Sequence, residues 1–182
     1  AEKEPDLAYL VNAEAPKAFA SALSDIGAKM IQISTDFVFS GKQGFPYKIN
    51  QCVDPLGVYG SSKAAGEQAV LNCCPGSSII RTSWLYSGIR QNFCLTMLRM
   101  HSLKSSLNEP LSVVSDQVGC PTSTDSLAIA CWRTLFLDNS FDKPSILHWS
   151  DSGVASWYDF AVAIGQLGVE NGLLKKSAIV KP

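Results

Sequence analysis

Residues 54–67 read DPLGVYGSSKAAGE and place Tyr59 and Lys63 four positions apart, in a segment predicted to be helical after Asp54-Pro55. Residues at positions i and i+4 lie on one helix face, about one turn apart. A phenol beside an ammonium can donate or accept a proton, because the positive charge favours the phenolate. The spacing alone also fits a surface helix with a solvated lysine, so the neighbouring residues must decide between the two interpretations.

The composition is that of a globular protein: 182 residues, 46% hydrophobic and 17% charged, with a net charge of −1. This length suffices for one core-bearing domain, or slightly more. The balanced charge gives no reason to expect nucleic acid or an anionic membrane as a partner. No apolar run approaches the roughly 18 residues that span a bilayer, so we expect no transmembrane segment.

The six cysteines show no C-x-x-C spacing. This favours reduced thiols in a cytoplasmic protein over a disulfide framework or a zinc site. The two histidines, His101 and His148, are isolated from clusters of other ligand types. We therefore predict a cytoplasmic location and no His/Cys metal site.

Short apolar segments alternate with segments of helical periodicity along the chain. Strands are predicted at 29–34, 78–82, 111–114, 146–149 and 177–180, and helices at 7–26, 59–74, 93–101, after Thr122 or Ser123, and from Ser156 to about Gly172. This alternation predicts an α/β fold with a doubly wound, Rossmann-like parallel sheet. Ser156 and Asp159 have the spacing of a capping box at the start of the last helix.

Polar residues follow the first predicted strand, where Ser34, Thr35 and Asp36 are consecutive. In open α/β sheets ligands gather at the carboxyl ends of the strands, so these side chains are well placed for chemistry. A solvated loop is the alternative interpretation.

Pro16 interrupts the first helical run, with Asn12 four residues before it. Proline has no N–H, so the carbonyl of Asn12 loses its usual helical partner and the helix should bend. This carbonyl is then either part of a simple kink or an exposed acceptor for a water or an ammonium.

No G-x-G-x-x-G turn or P-loop follows a strand. Gly57, Gly60 and Gly66 cluster instead at the Tyr–Lys helix, with the wrong spacing for a phosphate turn. We therefore expect a fold truncated at its N-terminus. Residues 1–87 would form the C-terminal half of a dinucleotide-binding domain, and residues 88–182 a mixed substrate-binding region with returning Rossmann elements. Such a chain alone should bind NAD(P)H poorly.

Several further pieces match one family in order. They are VNAEAP at 11–16, ISTDFVFSG at 33–41, PY at 46–47, RTSWLY at 81–86, NF at 92–93, DQVGCPT at 116–122 and HWSDSGVASWYDFA at 148–161. With residues 54–67, they make the chain resemble the extended short-chain dehydrogenase/reductases, and within them the dTDP-4-dehydrorhamnose reductase family.

The resemblance implies a catalytic set. Tyr59 would protonate the C4 oxygen of a 4-keto sugar, and Lys63 would assist it and bind the nicotinamide ribose. Thr35 would hydrogen-bond at the reacting carbonyl. The carbonyl of Asn12 would hold a water that bridges to Lys63, and Ser34 is assigned to the cofactor side.

The resemblance also implies substrate contacts and partners. The substrate-binding residues would be Thr35, Asp36, Phe37, Trp84, Asn92, Gln117 and Thr122. NADPH or NADH would be the cofactor and a nucleotide sugar the substrate, most specifically dTDP-4-dehydro-L-rhamnose for cell-surface polysaccharide precursors. The resemblance allows Mg²⁺, for which no ligand is assigned, and a homodimer.

One departure from the family concerns Phe37, which stands where tyrosine usually follows the serine-threonine-aspartate motif. The lost hydroxyl removes a substrate hydrogen bond. Two alternatives remain open: a non-catalytic relative resembling the beta subunit of methionine adenosyltransferase, or a reductase or epimerase for another nucleotide sugar. The catalytic set favours an enzyme over a scaffold, and the RTSW and DQVGCPT pieces favour reduction over epimerisation.

Overall fold

The computed structural model describes residues 1–136 and 146–182. The helices are α1 (Pro5–Tyr9), α2 (Ala15–Asp25), α3 (Val58–Cys73), α4 (Phe93–Leu107), α5 (Thr124–Phe136) and α6 (Trp157–Glu170). The strands are β1 (Ile31–Thr35), β2 (Ser78–Thr82), β3 (Leu85–Tyr86), β4 (Leu111–Ser112), β5 (Val118–Gly119), β6 (Thr122–Ser123), β7 (Ile146–His148), β8 (Ala155–Ser156) and β9 (Val180–Lys181). No helix within these ranges is long and apolar enough to cross a membrane.

The chain forms two units, and neither is continuous in sequence. The first contains Ala1–Thr82 and Ile129–Trp149, and the second contains Ser83–Ala128 and Ser150–Pro182. The sequence predicted returning Rossmann elements within residues 88–182 without locating them. The strand β7 lies in this range and pairs with β2, while the predicted division of the chain at residue 87 stays a prediction.

The first unit contains a three-stranded parallel sheet in the order β1-β2-β7. Its core forms where Ile79 of β2 packs with Val70 of α3 and Ala20 of α2. All five residues of β2 are buried, the polar ones included, as expected for a central strand that is covered on both faces. The predicted α/β fold with a parallel sheet is confirmed.

The first helical run changes its helix type just before Pro16, where the sequence predicted a bend. A π-helical turn, Leu10–Glu14, separates α1 from α2 directly before that proline. A wider turn accommodates the missing backbone donor, because π turns are a common response to an interrupted hydrogen-bond ladder. Gly27 then ends α2 with a left-handed φ of 68°, as expected for a helix C-terminus.

In the second unit, α4 and α6 pack around a core whose buried members are Met97, Leu111, Ala161, Ile164 and Ala178. His101 is fully buried among them. Its Nε2 lies 2.9 Å from the carbonyl of Ala161, and its Nδ1 accepts from the N–H of Ala178 at 3.2 Å. These two bonds assign a structural role to an imidazole that the sequence left unexplained.

Two further expectations concern α6 and the cysteines. The capping box at the start of α6 is present: Ser156 accepts from the N–H of Asp159, whose carboxylate accepts from the N–H of Ser156.

All six cysteines are free thiols; Cys74 is buried and Cys52 is exposed.

Candidate active site

Lys63 lies on the face of α3 that packs against β1. Its Nζ donates a hydrogen bond of 2.7 Å to the carbonyl of Ile33, and its side chain is partly buried. Burial lowers the pKa of Lys63, and the negative charge of Glu67 opposes this by raising it. An ammonium has three donors, so two remain for other acceptors.

Tyr59 lies one turn before Lys63, in the first turn of α3. Its side chain is 40% exposed, and its ring meets that of Phe37 edge to face with the centroids 5.9 Å apart. Within the described ranges the phenol oxygen forms no hydrogen bond with another protein group. The hydroxyl is therefore accessible to a ligand, while Phe37 contacts one side of the ring.

Thr35 ends β1, inside a segment that touches α3 at both of its ends. Ile33 contacts Lys63, and Phe37 contacts Tyr59. This segment brings the threonine to the part of α3 that carries the two predicted catalytic side chains. The Thr35 hydroxyl donates to Asp36 and accepts from the N–H of Phe37, both at 3.2 Å. These bonds order the turn that follows the strand.

Asp36 is half-buried in the same turn. Burial raises the pKa of its carboxyl, partly offset by the hydrogen bond from Thr35.

The glycines that do not fit a phosphate turn have a packing role. A Cβ on Gly60 would lie 2.1 Å from the carbonyl oxygen of Phe37, and a Cβ on Gly66 would lie 2.0 Å from that of Asn12. Both distances are far below van der Waals contact. Only glycine allows the turn after β1 and the π turn to approach α3 so closely.

Asn12 contacts α3 through two groups. Its carbonyl faces Gly66, and its side-chain Nδ2 donates to the Ser62 hydroxyl at 3.0 Å. Ser62 in turn donates to the carbonyl of Tyr59 at 2.9 Å. Asn12 is therefore connected to α3 through Ser62, a contact that the sequence did not predict. The water-bridging role of its carbonyl stays a prediction.

Sequence reasoning missed Glu67 and Arg81, which form a buried ion pair of 2.6 Å between α3 and β2. Ser34, predicted on the cofactor side, donates to the same carboxylate at 2.5 Å and is itself buried. Its cofactor role stays a prediction, but its hydroxyl has a protein partner. The only sequence signal for the pair is Glu67 four residues after Lys63, a spacing that is common on solvated helix faces.

Sequence reasoning also missed Glu2. The N-cap residue of α3 is Gly57, which has no side chain to cap the helix. The Glu2 carboxylate instead accepts hydrogen bonds from the N–H groups of Val58 and Tyr59, at 3.1 and 3.2 Å. These two bonds lower the pKa of Glu2, as expected for a carboxylate at a helix N-terminus.

In the second unit, Trp84 has a left-handed backbone with a φ of 46°, a strained conformation for a bulky residue. Its indole stacks on Trp157 with the ring centroids 3.4 Å apart and the planes 4° from parallel. A Cβ on Gly119 would lie 2.4 Å from the Trp84 ring. Trp84 is therefore a rigidly held, partly exposed aromatic surface.

The other predicted substrate residues also lie in the second unit. Asn92 caps α4 by accepting from Leu95, and its amide N–H groups donate to carbonyls of its own loop. Gln117 is exposed and accepts from the Trp157 indole N–H at 3.2 Å. Thr122 is fully buried, and its hydroxyl donates to the carbonyl of Cys120. Their contacts with substrate stay predictions.

The chain is similar in sequence to a family of known proteins. Residues 1–177 match the family model described as RmlD substrate binding domain. The dTDP-4-dehydrorhamnose reductase of Sinorhizobium fredii is 43% identical over 164 residues, which cover 88% of this chain and 54% of that protein. The spore coat polysaccharide biosynthesis protein SpsK of Bacillus subtilis is 43% identical over 174 residues, which cover 95% of this chain and 58% of SpsK.

Two solved structures extend the match to the fold. The dTDP-4-dehydrorhamnose reductase of Clostridium acetobutylicum superposes with a TM-score of 0.84 at 38% identity, over 100% of this chain and 59% of that one. The Bacillus anthracis reductase, solved in complex with NADP, also gives 0.84, at 36% identity, over 100% and 60%. The chain thus spans a little over half the length of the relatives it matches.

Proposed function

The chain belongs to the family of the RmlD substrate binding domain, and we propose that the full protein is an NAD(P)H-dependent reductase of a nucleotide-linked 4-keto sugar. The most specific form of the proposal is reduction of dTDP-4-dehydro-L-rhamnose to dTDP-L-rhamnose for polysaccharide precursors. The names of the similar proteins support this substrate. A cytoplasmic location and a homodimer belong to the same proposal.

One observation carries the proposal. Lys63 is fixed to the carbonyl of Ile33 at 2.7 Å, while the accessible Tyr59 phenol lies one turn away on the same helix. A scaffold protein has no physical need for a partly buried ammonium beside an accessible phenol. The pair suits a reaction in which a proton is delivered to a developing alkoxide.

The residues present fit a reduced nicotinamide cofactor. Lys63 uses one of its three donors on Ile33, which leaves donors for the vicinal hydroxyls of a ribose. The bound cofactor would supply the hydride that reduces the carbonyl carbon. The matching structure of the Bacillus anthracis protein contains NADP, in line with this choice.

Tyr59 would provide the proton that accompanies this reduction. As the C4 carbonyl becomes an alcohol, the phenol transfers its proton to the oxygen, and the positive charge of Lys63 stabilises the phenolate that remains. Positioned proton transfer of this kind typically contributes about 10²–10⁴-fold to the rate. Thr35 would rotate its hydroxyl from Asp36 toward the same oxygen and orient the ketone.

Phe37 would set the polarity next to the proton donor. It is 60% exposed and contacts the Tyr59 ring, so it offers an apolar edge where tyrosine would offer a hydroxyl. An apolar edge suits a deoxy or methyl position of the sugar better than a hydroxymethyl group.

A direct test uses the full-length protein with NADPH and dTDP-4-dehydro-L-rhamnose. We expect NADPH to be oxidised only when the keto sugar is present, and mass spectrometry to show a product heavier by two hydrogens. Release of an unreduced epimer without NADPH oxidation would contradict the proposal in favour of an epimerase. Complete inactivity together with capture of a protein partner would favour the regulatory subunit.

A further inference from the structure

The ion pair between Glu67 and Arg81 is almost completely enclosed, with side-chain exposures of 6% and 5%. Both carboxylate oxygens are used: Oε1 accepts from the Arg81 Nε at 2.9 Å, and Oε2 accepts from Nη2 at 2.6 Å. Ser34 adds a third bond to Oε1 at 2.5 Å. One carboxylate therefore joins α3 to both β1 and β2.

Strand register explains how these groups meet. Ser34 of β1 is paired with Arg81 of β2, and Arg81 is paired with His148 of β7. Paired residues in a parallel sheet project to the same face, which here is the face that Glu67 reaches. The Arg81 guanidinium also lies 5.0 Å from the centre of the Phe39 ring, so it is covered by an aromatic face.

Stability alone is a poor reason for burying these charges. Desolvation of a buried ion pair offsets most of its attraction, and apolar replacement of the whole pair is often neutral or stabilising. Breaking such a pair is costly because it leaves one buried charge without a partner. The pair therefore fixes geometry and charge more effectively than it adds folding free energy.

The Glu67–Arg81 pair and its Ser34 contact lie close to Lys63. Glu67 lies one turn after Lys63 on α3, and Ser34 directly follows Ile33, the residue whose carbonyl accepts from Lys63. The carboxylate thus fastens α3 to β1 beside the Lys63 bond. Its charge also raises the pKa of Lys63, against the lowering by burial.

We propose that Glu67 is a positioning residue, which holds α3 against β1 and β2 through Ser34 and Arg81 and places its negative charge one helical turn from Lys63. The effect of Glu67 on turnover rests on the proposed function, because Lys63 supports Tyr59 in that reaction. The effect of Glu67 on the protonation of Lys63 does not depend on which substrate the protein reduces.

Other charged groups lie on the elements packed against α3. They are the exposed Asp6, Glu14, Lys17 and Asp25, the half-buried Asp36, and Glu2 at the helix N-terminus. Tyr59 and Glu67 belong to α3 itself. Because Glu67 is the charge that acts on the pKa of Lys63, its replacement is the informative change.

The test compares Glu67→Gln with wild type in the full-length protein. Trace labelling of Lys63 by acetic anhydride, followed across pH by mass spectrometry, reports the neutral amine without requiring activity. We expect Lys63 to become reactive at lower pH in Glu67→Gln. We also expect kcat to fall roughly tenfold or more, and the alkaline decline of kcat to move to lower pH. An unmoved labelling profile would overturn the proposal.

Three further variants separate the effect of the Glu67 charge from the effects of lost hydrogen bonds and of misfolding. Glu14→Gln removes an exposed carboxylate of the first unit and should match wild type in both assays. Ser34→Ala keeps both charges, so its labelling profile should stay in place even if its rate falls. If Glu67→Gln does not fold, Glu67→Gln/Arg81→Gln removes both buried charges and leaves none unpaired. It should still show Lys63 reactive at lower pH, and a wild-type profile would overturn the proposal.

An inactive wild-type protein whose labelling still shifts in Glu67→Gln would overturn the proposed function while supporting the positioning role. An active wild-type protein whose Lys63 labelling profile does not shift in Glu67→Gln would support the proposed function and overturn the positioning role. The two proposals therefore fail separately.

Discussion

The ammonium of Lys63 donates a 2.7 Å hydrogen bond to the backbone carbonyl of Ile33. This bond joins α3, which also carries Tyr59, to the strand that ends in Thr35. It makes the lysine a fixed part of the sheet edge, whereas a solvated lysine would move freely.

Replacing Lys63 with methionine should remove both the charge that stabilises the Tyr59 phenolate and the donors available to a cofactor ribose. We expect kcat to fall by about 10²-fold or more and KM for NADPH to rise, measured by steady-state NADPH oxidation in the full-length protein. Lys17→Met is the matched control, because Lys17 is half exposed in a surface pair with Glu14. Equal losses in both variants would contradict the specific role of Lys63.

Gly66→Ala should destabilise the protein, because its Cβ would lie 2.0 Å from the Asn12 carbonyl. We expect a loss of about 1–3 kcal/mol in the free energy of unfolding from overpacking, larger than the roughly 1 kcal/mol that alanine gains over glycine in a helix. Urea unfolding measures it. Gly44→Ala, where nothing lies within 4 Å, should remain within about 0.5 kcal/mol of wild type. A Gly66→Ala protein as stable as wild type would refute the close approach.

Much of this site was predictable from sequence because its signals are local. The i, i+4 spacing of Tyr59 and Lys63 predicted their shared helix face, and the apolar run before Ser34 predicted β1. Pro16 predicted an interrupted hydrogen-bond ladder in the first helical run, and a π turn precedes it. Each inference depends only on backbone chemistry within a few residues.

The Glu67–Arg81 pair was not predictable in this way. A glutamate four residues after a lysine normally indicates a solvated pair, and an arginine in an apolar strand has no partner that spacing can identify. Their contact depends on how α3 packs against β2, which is a tertiary property. The roles of Gly60 and Gly66 were missed for the same reason, since the approaching carbonyls come from distant segments.

Trp84→Leu should weaken binding of the nucleotide sugar. The indole is held by Trp157 and Gly119, and loss of an aromatic contact costs about 0.5–1.5 kcal/mol. We therefore expect KM for the keto sugar to rise about two- to tenfold with a smaller change in kcat. Trp132→Leu, at an exposed indole, should leave KM unchanged. A Trp84→Leu protein with wild-type KM would remove this residue from the substrate site.

Asp159→Asn should change the pH dependence of stability. The hydrogen bonds from the Ser156 side chain and backbone lower the pKa of Asp159. Its contribution is therefore present above the unfolded value of about 3.9 and is lost as pH falls through the lower native value. In urea unfolding, the stability difference between wild type and Asp159→Asn should be largest at neutral pH and vanish in acid. Asp116→Asn, at an exposed aspartate, should show no such trend, and a difference independent of pH would contradict the linkage.

The most direct test of the account is the turnover of Tyr59→Phe in the full-length protein with NADPH and the 4-keto sugar nucleotide. Tyr9→Phe is a close control, because both tyrosines lie in the first unit and are 40% exposed. We predict that kcat falls by about 10²–10⁴-fold in Tyr59→Phe and is unchanged in Tyr9→Phe. Wild-type turnover by Tyr59→Phe would contradict the assignment of this phenol as the proton donor.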